Sequence, residues 1–267
     1  MSRPWPRRPR LCAGNWKMHR TAPEGAALAR ELVELLRARP GCEVAVCPPF
    51  TALESVAPAL RGTGIWLGAQ NVHWERQGPF TGEVSAPMLV SLGCRLVIVG
   101  HSERRHGMNE DDATVARKLR AALGEGLTPI VCVGETLGER EAGRTAEVLV
   151  RQAQAAYSDL SQADSLATVV AYEPVWAIGT GKVASPEQAR EAHALIRATL
   201  DRIVGAGTGE RVTILYGGSV NPGNAAALFA EEEVDGALVG GASLEAASFW
   251  KIAVAAGAPR EQLRAGR

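Results

Sequence analysis

The sequence predicts a single closed α/β domain, a (β/α)8 barrel. Three observations carry this. Eight short apolar runs recur along the 267 residues. Helical patterns lie between most of them, and strand alternating with helix implies parallel strands joined by crossover helices. No linker or break in composition divides the chain, whose length suits such a barrel, typically about 250 residues. An open doubly wound sheet with a dinucleotide site is expected to carry G-x-G-x-x-G after an early strand, and none stands there.

The eight runs are 11–13, 44–46, 65–67, 96–99, 130–133, 169–171, 212–215 and 237–239. Each is too short for a helix, and most are apolar without alternation, the pattern of a strand buried on both faces. After the first run, Leu28, Leu32, Leu35 and Leu36 repeat at helical spacing behind Thr21-Ala22-Pro23-Glu24, a capping-box pattern. Leu119 and Leu123, flanked by alanines, mark a helix between the fourth and fifth runs. Ser185-Pro186-Glu187-Gln188 opens another after the sixth, with proline in the first turn, where its missing N–H matters little. The expected layout is a disordered basic tail at 1–10, the barrel at 11–258 and a C-terminal tail at 259–267.

Composition excludes several function classes. Twenty-nine basic residues balance 29 acidic ones, so no global field draws nucleic acid or an anionic membrane. No apolar run reaches the roughly 18 residues of a membrane span. The N-terminus, MSRPWPRRPR, lacks the apolar stretch of a signal peptide, and its prolines argue against an amphipathic transit helix. Five cysteines form no C-x-x-C pair, and Cys12, Cys47 and Cys132 lie inside apolar runs, where cysteine is ordinarily a small buried hydrophobe. The reading is a reduced, cytoplasmic chain without a metal. His19, His73, His106 and His193 show no metal-ligand spacing.

In a barrel of this kind the site lies at the C-terminal ends of the strands, where the loops converge. Asn15-Trp16-Lys17 follow the first run, His101-Ser102-Glu103 the fourth, Gly134-Glu135 the fifth, Glu173 the sixth, Gly217-Gly218-Ser219 the seventh and Gly240-Gly241 the eighth. A Gly-Gly pair is often only a tight turn. Two such pairs after strands seven and eight, each ahead of a helix start, suit a phosphate held by backbone N–H groups. An isolated strand-end glutamate is ordinarily an ion-paired acid. Beside apolar Trp176 and Ile178, however, Glu173 is expected to have a raised pKa and to serve as a general base. His101 reads either as a structural histidine or, at a helix start that disfavours imidazolium, as a neutral hydrogen-bond donor. Lys17 reads as a surface charge or as a cation opposing negative charge on a substrate.

The motifs GNWKM, GAQNV, FTGE, VGHSERR, PIVCVGE, AYEPVWAIGTGK, YGGSVNPGN and DGALVGGASL stand in the order and spacing of the triosephosphate isomerase family, from about Leu11 to Val254. The resemblance implies a TIM barrel that interconverts dihydroxyacetone phosphate and glyceraldehyde 3-phosphate, in glycolysis and gluconeogenesis, without cofactor or metal. This family is itself a familiar worked example of an acid and a base whose pKa values are set apart by their surroundings. By position, Glu173 resembles the base, His101 the neutral electrophile, and Asn15 and Lys17 the groups that hold the substrate oxygens. Glu103 is similar to the acid behind this set, and Gly179, Ser219, Gly240 and Gly241 fall at phosphate contacts. Residues 174–182 resemble a mobile lid. Residues 78–83, Gly78-Pro79-Phe80-Thr81-Gly82-Glu83, resemble a loop that enters a second subunit through Thr81, which implies a homodimer. The family usually has alanine at Pro79 and asparagine at His19. A four-carbon sugar phosphate is an alternative substrate for the same residues, and a barrel kept only for binding is excluded by its intact catalytic set.

Overall fold

The computed structural model describes residues 8–36, 40–179 and 182–265. Eight strands close into one parallel barrel in chain order: β1 Leu11–Asn15, β2 Glu43–Cys47, β3 Ile65–Ala69, β4 Leu96–Val99, β5 Thr128–Val133, β6 Val169–Tyr172, β7 Thr213–Tyr216 and β8 Gly236–Val239. Each expected run falls on its strand, with Val212 one residue ahead of β7. The ring closes where β1 pairs with β8, Leu11 opposite Gly236 and Gly14 opposite Val239.

The unbroken apolar runs follow from two cores. Alternate residues such as Leu11, Ala13, Leu96, Ile98, Ile130 and Cys132 fill the lumen. Their neighbours, among them Cys12, Val97, Val99 and Val131, face the surrounding helices and pack with Leu28, Leu32, Leu119 and Leu200. A strand sandwiched in this way has no polar face to show. Mixing small and bulky residues lets the lumen fill without a pore.

The helices begin as their sequences direct. Ser185 caps Pro186–Val204 through a full capping box with Gln188. Thr136 and Glu139 form a second ahead of Leu137–Glu141. At Thr21 the box is one-sided: the Glu24 carboxylate accepts from the Thr21 N–H and hydroxyl, both at 2.8 Å, at the start of Ala22–Leu36. The alanine-flanked leucines lie in Asp112–Gly124, capped by Asp111. Among the described residues no helix is long and apolar enough to cross a membrane.

The described parts of the expected tails are held against the barrel. Residues 1–7 and 266–267 lie outside the described residues, but Arg260–Ala265 forms a helix where a tail was expected. Asp235, buried just before β8, gathers arginines from both segments. Its Oδ1 accepts from Arg8 Nε at 2.9 Å and lies 3.6 Å from Arg260, while Oδ2 accepts from Arg197 at 2.6 Å. Arg10 donates to the carbonyls of Ala256 and Ala258 at the end of helix Ala246–Gly257. These contacts fasten Arg8, Arg10 and Arg260 to the face opposite the strand C-termini.

Candidate active site

The polar strand ends meet in a cavity of about 340 Å³, lined by Asn15, Lys17, His101, Glu173, Gly179, Ser219, Gly240 and Gly241 among others. Only Glu103 of the expected site set stands outside its wall. It lines the adjoining cleft and reaches Lys17 Nζ with Oε1 at 2.5 Å.

Lys17 has a left-handed backbone, φ +51°, a conformation that strains a residue with a side chain. Its flanks are held on both sides. The Lys17 N–H donates to Asn15 Oδ1 at 3.1 Å, and its carbonyl accepts from Gln70 Nε2 at 2.8 Å. The turn aims the ammonium across the mouth, where Nζ is 3.9 Å from the place a side chain on Gly240 would begin.

Glu173 sits directly after β6, 2% exposed. Two glycines make room for it. A methyl on Gly134 would stand 1.7 Å from the Glu173 carbonyl oxygen, and one on Gly217 would stand 2.7 Å from its Cγ. Oε2 accepts from the Ser102 N–H at 2.9 Å, and Oε1 is 2.8 Å from His101 Nε2. That second contact is short but misaligned, so Oε1 has no well-directed donor.

The raised Glu173 pKa expected from its apolar neighbours is not found. Burial does push it up, but attraction to His101, the bond from Ser102 and the charge of Lys17 together hold it below the ordinary carboxylate value. Trp176, the apolar neighbour invoked, turns its indole N–H to Glu135.

His101 caps the helix Ser102–Gly107, and its Nδ1 accepts from the Glu103 N–H at 3.2 Å. Burial lowers its pKa and the Glu173 carboxylate raises it, the second prevailing while the two are in contact. Nδ1 is nevertheless committed as an acceptor, which fits a neutral ring with its proton on Nε2. Without the carboxylate, burial and the helix N-terminus both favour that neutral form.

The residues expected to hold phosphate line the same cavity, but Ser219 is engaged elsewhere. The N–H and hydroxyl of Ser219 both donate to the Ala177 carbonyl, at 3.0 and 2.7 Å. Gly240 and Gly241 lead into the 3₁₀ turn Gly241–Leu244, and Gly179 has φ +69°. Thr180 and Gly181 of the expected lid lie outside the described residues.

Sequence reasoning assigned no role to Glu135, Gln70 or the Ser102 N–H. Glu135 is fully buried and accepts from Tyr172 Oη at 3.1 Å, Trp176 Nε1 at 3.0 Å and Arg140 at 3.2 Å. Its carbonyl also accepts from the Val175 N–H at 3.0 Å. It therefore moors the start of the 174–179 segment. An acid after a fifth apolar run was the only available signal. Among the described residues no group of three potential metal ligands exists.

A carboxylate, an imidazole and an ammonium around one cavity, beside the glycines that end β7 and β8, suit proton transfer next to a carbonyl on a phosphorylated compound. A family model described as triosephosphate isomerase matches residues 10–256. Curated relatives named triosephosphate isomerase include one from Moorella thermoacetica, 55% identical over 92% of this chain and 98% of its own length. Others are from Bordetella pertussis, 53% identical over 93% and 98%, and Chloroflexus aurantiacus, 52% identical over 91% and 97%.

Proposed function

The chain belongs to the triosephosphate isomerase family, and on that premise we propose how its own residues carry the reaction. The enzyme interconverts dihydroxyacetone phosphate and glyceraldehyde 3-phosphate, a step of glycolysis. The four-carbon alternative finds no support among the relatives' names.

Glu173 takes the proton from one carbon of the substrate and returns it to the next, through an enediolate. His101 donates its Nε2 proton toward the carbonyl oxygen as charge builds there, and Lys17 and Asn15 hold the two oxygens. The approach of Glu173 to His101, 2.8 Å at the floor of the cavity, supports this reading above any other observation. In the empty site His101 and Ser102 lower the basicity of Glu173. Substrate placed between Glu173 and His101 breaks their contact, and a carboxylate moved into a drier environment becomes a stronger base.

The phosphate goes to Gly179, Ser219, Gly240 and Gly241. Ser219 then exchanges the Ala177 carbonyl for a phosphate oxygen, which releases the 174–182 lid to close. Glu103 positions Lys17. Closure keeps water from an intermediate that would otherwise expel phosphate.

The same reading includes a homodimer. Beside the site, a cleft of about 290 Å³ is lined by Met18, Phe50, Gln70, Glu103 and Met108. Met18 and Met108 at this cleft are 94% and 66% exposed, and exposed apolar side chains beside a cleft suit a partner. Thr81 of a second copy would fill it, next to Asn15 and Lys17. Free thiols at all five cysteines suit a reducing compartment, and the reading includes the cytoplasm and a gluconeogenic direction as well. A coupled assay with purified protein and glyceraldehyde 3-phosphate tests the chemistry, and no turnover above buffer overturns it.

A further inference from the structure

The segment that would enter a partner does not stand by itself. Three side chains on or just after one helix, Asp112–Gly124, reach its rising arm. Lys118 donates to Asn71 at 2.7 Å, directly behind β3. Arg117 lays its guanidinium over the Trp74 indole, 3.9 Å from the ring centroid. Glu125 pairs with Arg76.

From Trp74 the order passes to the tip. The His73 ring lies 4.1 Å from Trp74 and 4.3 Å from Phe80, both at modest interplanar angles. Phe80, His73, Trp74 and Arg117 thus form an unbroken series of ring and cation–π contacts from the loop to the helix. His73 is fixed in turn, since its Nδ1 accepts from the Glu75 N–H at 3.1 Å and its own N–H donates to the Val84 carbonyl at 2.8 Å. Phe80 is still 38% exposed at the far end.

We propose that Trp74 and Arg117 are positioning residues that splint the 78–83 loop into its docking shape before a second copy arrives. The inference rests on the homodimer reading above. A loop ordered in advance loses little conformational freedom on docking, and association that needs no rearrangement is faster. A guanidinium over an indole is among the better cation–π pairs. Arg117 is exposed and lies away from the barrel interior, so its loss leaves the chain's own fold intact.

The test compares wild type with Arg117→Ala and Trp74→Ala by sedimentation velocity over a dilution series. Reassociation after dilution is followed alongside. Each variant is expected to raise the dimer dissociation constant at least tenfold and to slow reassociation, with the far-UV spectrum unchanged. Trp74→Phe, which keeps a stacking ring, is expected to recover most of the loss. Wild-type dissociation constants in both alanine variants overturn the splint while leaving the dimer standing. A wild-type chain that stays monomeric throughout overturns the dimer, and the splint with it.

Discussion

Glu173 Oε1 lies 2.8 Å from His101 Nε2, yet that carboxylate oxygen has no well-directed donor. The pair is close enough to communicate and loose enough to part. Its one firm bond is to the Ser102 N–H at 2.9 Å, a backbone group that a side-chain rotation releases without unfolding anything. Such a carboxylate is stored, and only the His101 contact and one N–H need part to free it.

Glu173→Ala is therefore expected to keep the fold and bind inorganic phosphate while kcat falls at least a hundredfold, the usual range for a positioned general base. Steady-state kinetics on the purified variant decide it. A loss under tenfold, about 1.4 kcal/mol, removes Glu173 from the role of base.

Gly134→Ala is expected to be as harmful, although the new methyl touches no substrate. It would begin 1.7 Å from the Glu173 carbonyl oxygen, so the backbone that carries the base must move. A displacement near 1 Å in a catalytic group lowers rate by about a hundredfold. Retention of more than half of wild-type kcat/KM would show that the strand end yields elsewhere.

His193 makes the stability depend on pH. It is fully buried and its pKa is lowered to about 3 by burial, against which its bond to the Glu233 carbonyl works only in part. The unfolded chain takes up this proton near pH 6.5 and the folded chain does not. Stability is therefore whole above pH 6.5 and declines as pH falls from there toward 3. At pH 5 the decline amounts to about 2 kcal/mol. Urea unfolding at pH 7 and pH 5 should show a smaller difference between the two for His193→Phe than for wild type. Equal differences would mean that His193 is not the group responsible.

Thr81→Arg, at the tip of the 78–83 loop, should yield monomers of native secondary structure and poor turnover, because the cleft beside Lys17 stays unfilled. Sedimentation paired with activity at matched concentration reads this out. Fully active monomers would dissociate the loop from catalysis.

The barrel was legible because a strand buried on both faces must be apolar throughout, and each of the eight runs became a strand. The lining of the candidate site was legible where it depends on strand ends alone, as with Asn15, His101 and Glu173. It was not legible where it depends on partners distant in the chain. Glu135 moors Tyr172 and Trp176 across 37 and 41 residues, and no local pattern announces that. The same holds for the Glu173 pKa. Trp176 and Ile178 are its neighbours in sequence, but His101 and Ser102 are its neighbours in space. The helix Arg260–Ala265 was missed for a similar reason, since Arg260 and Arg264 have anchors near Ala230, Glu232 and Asp235 that only folding brings near.

Asp235 brings Arg8 and Arg260 to within hydrogen-bonding or ion-pair reach of one carboxylate oxygen, on the rim remote from Glu173. A short peptide could bridge those two arginines and turn the polymer into a ring, and new termini could then be cut into an exposed connection elsewhere. Tags, tethers and fusion partners attached at that rim would likewise leave the mouth of the enzyme clear.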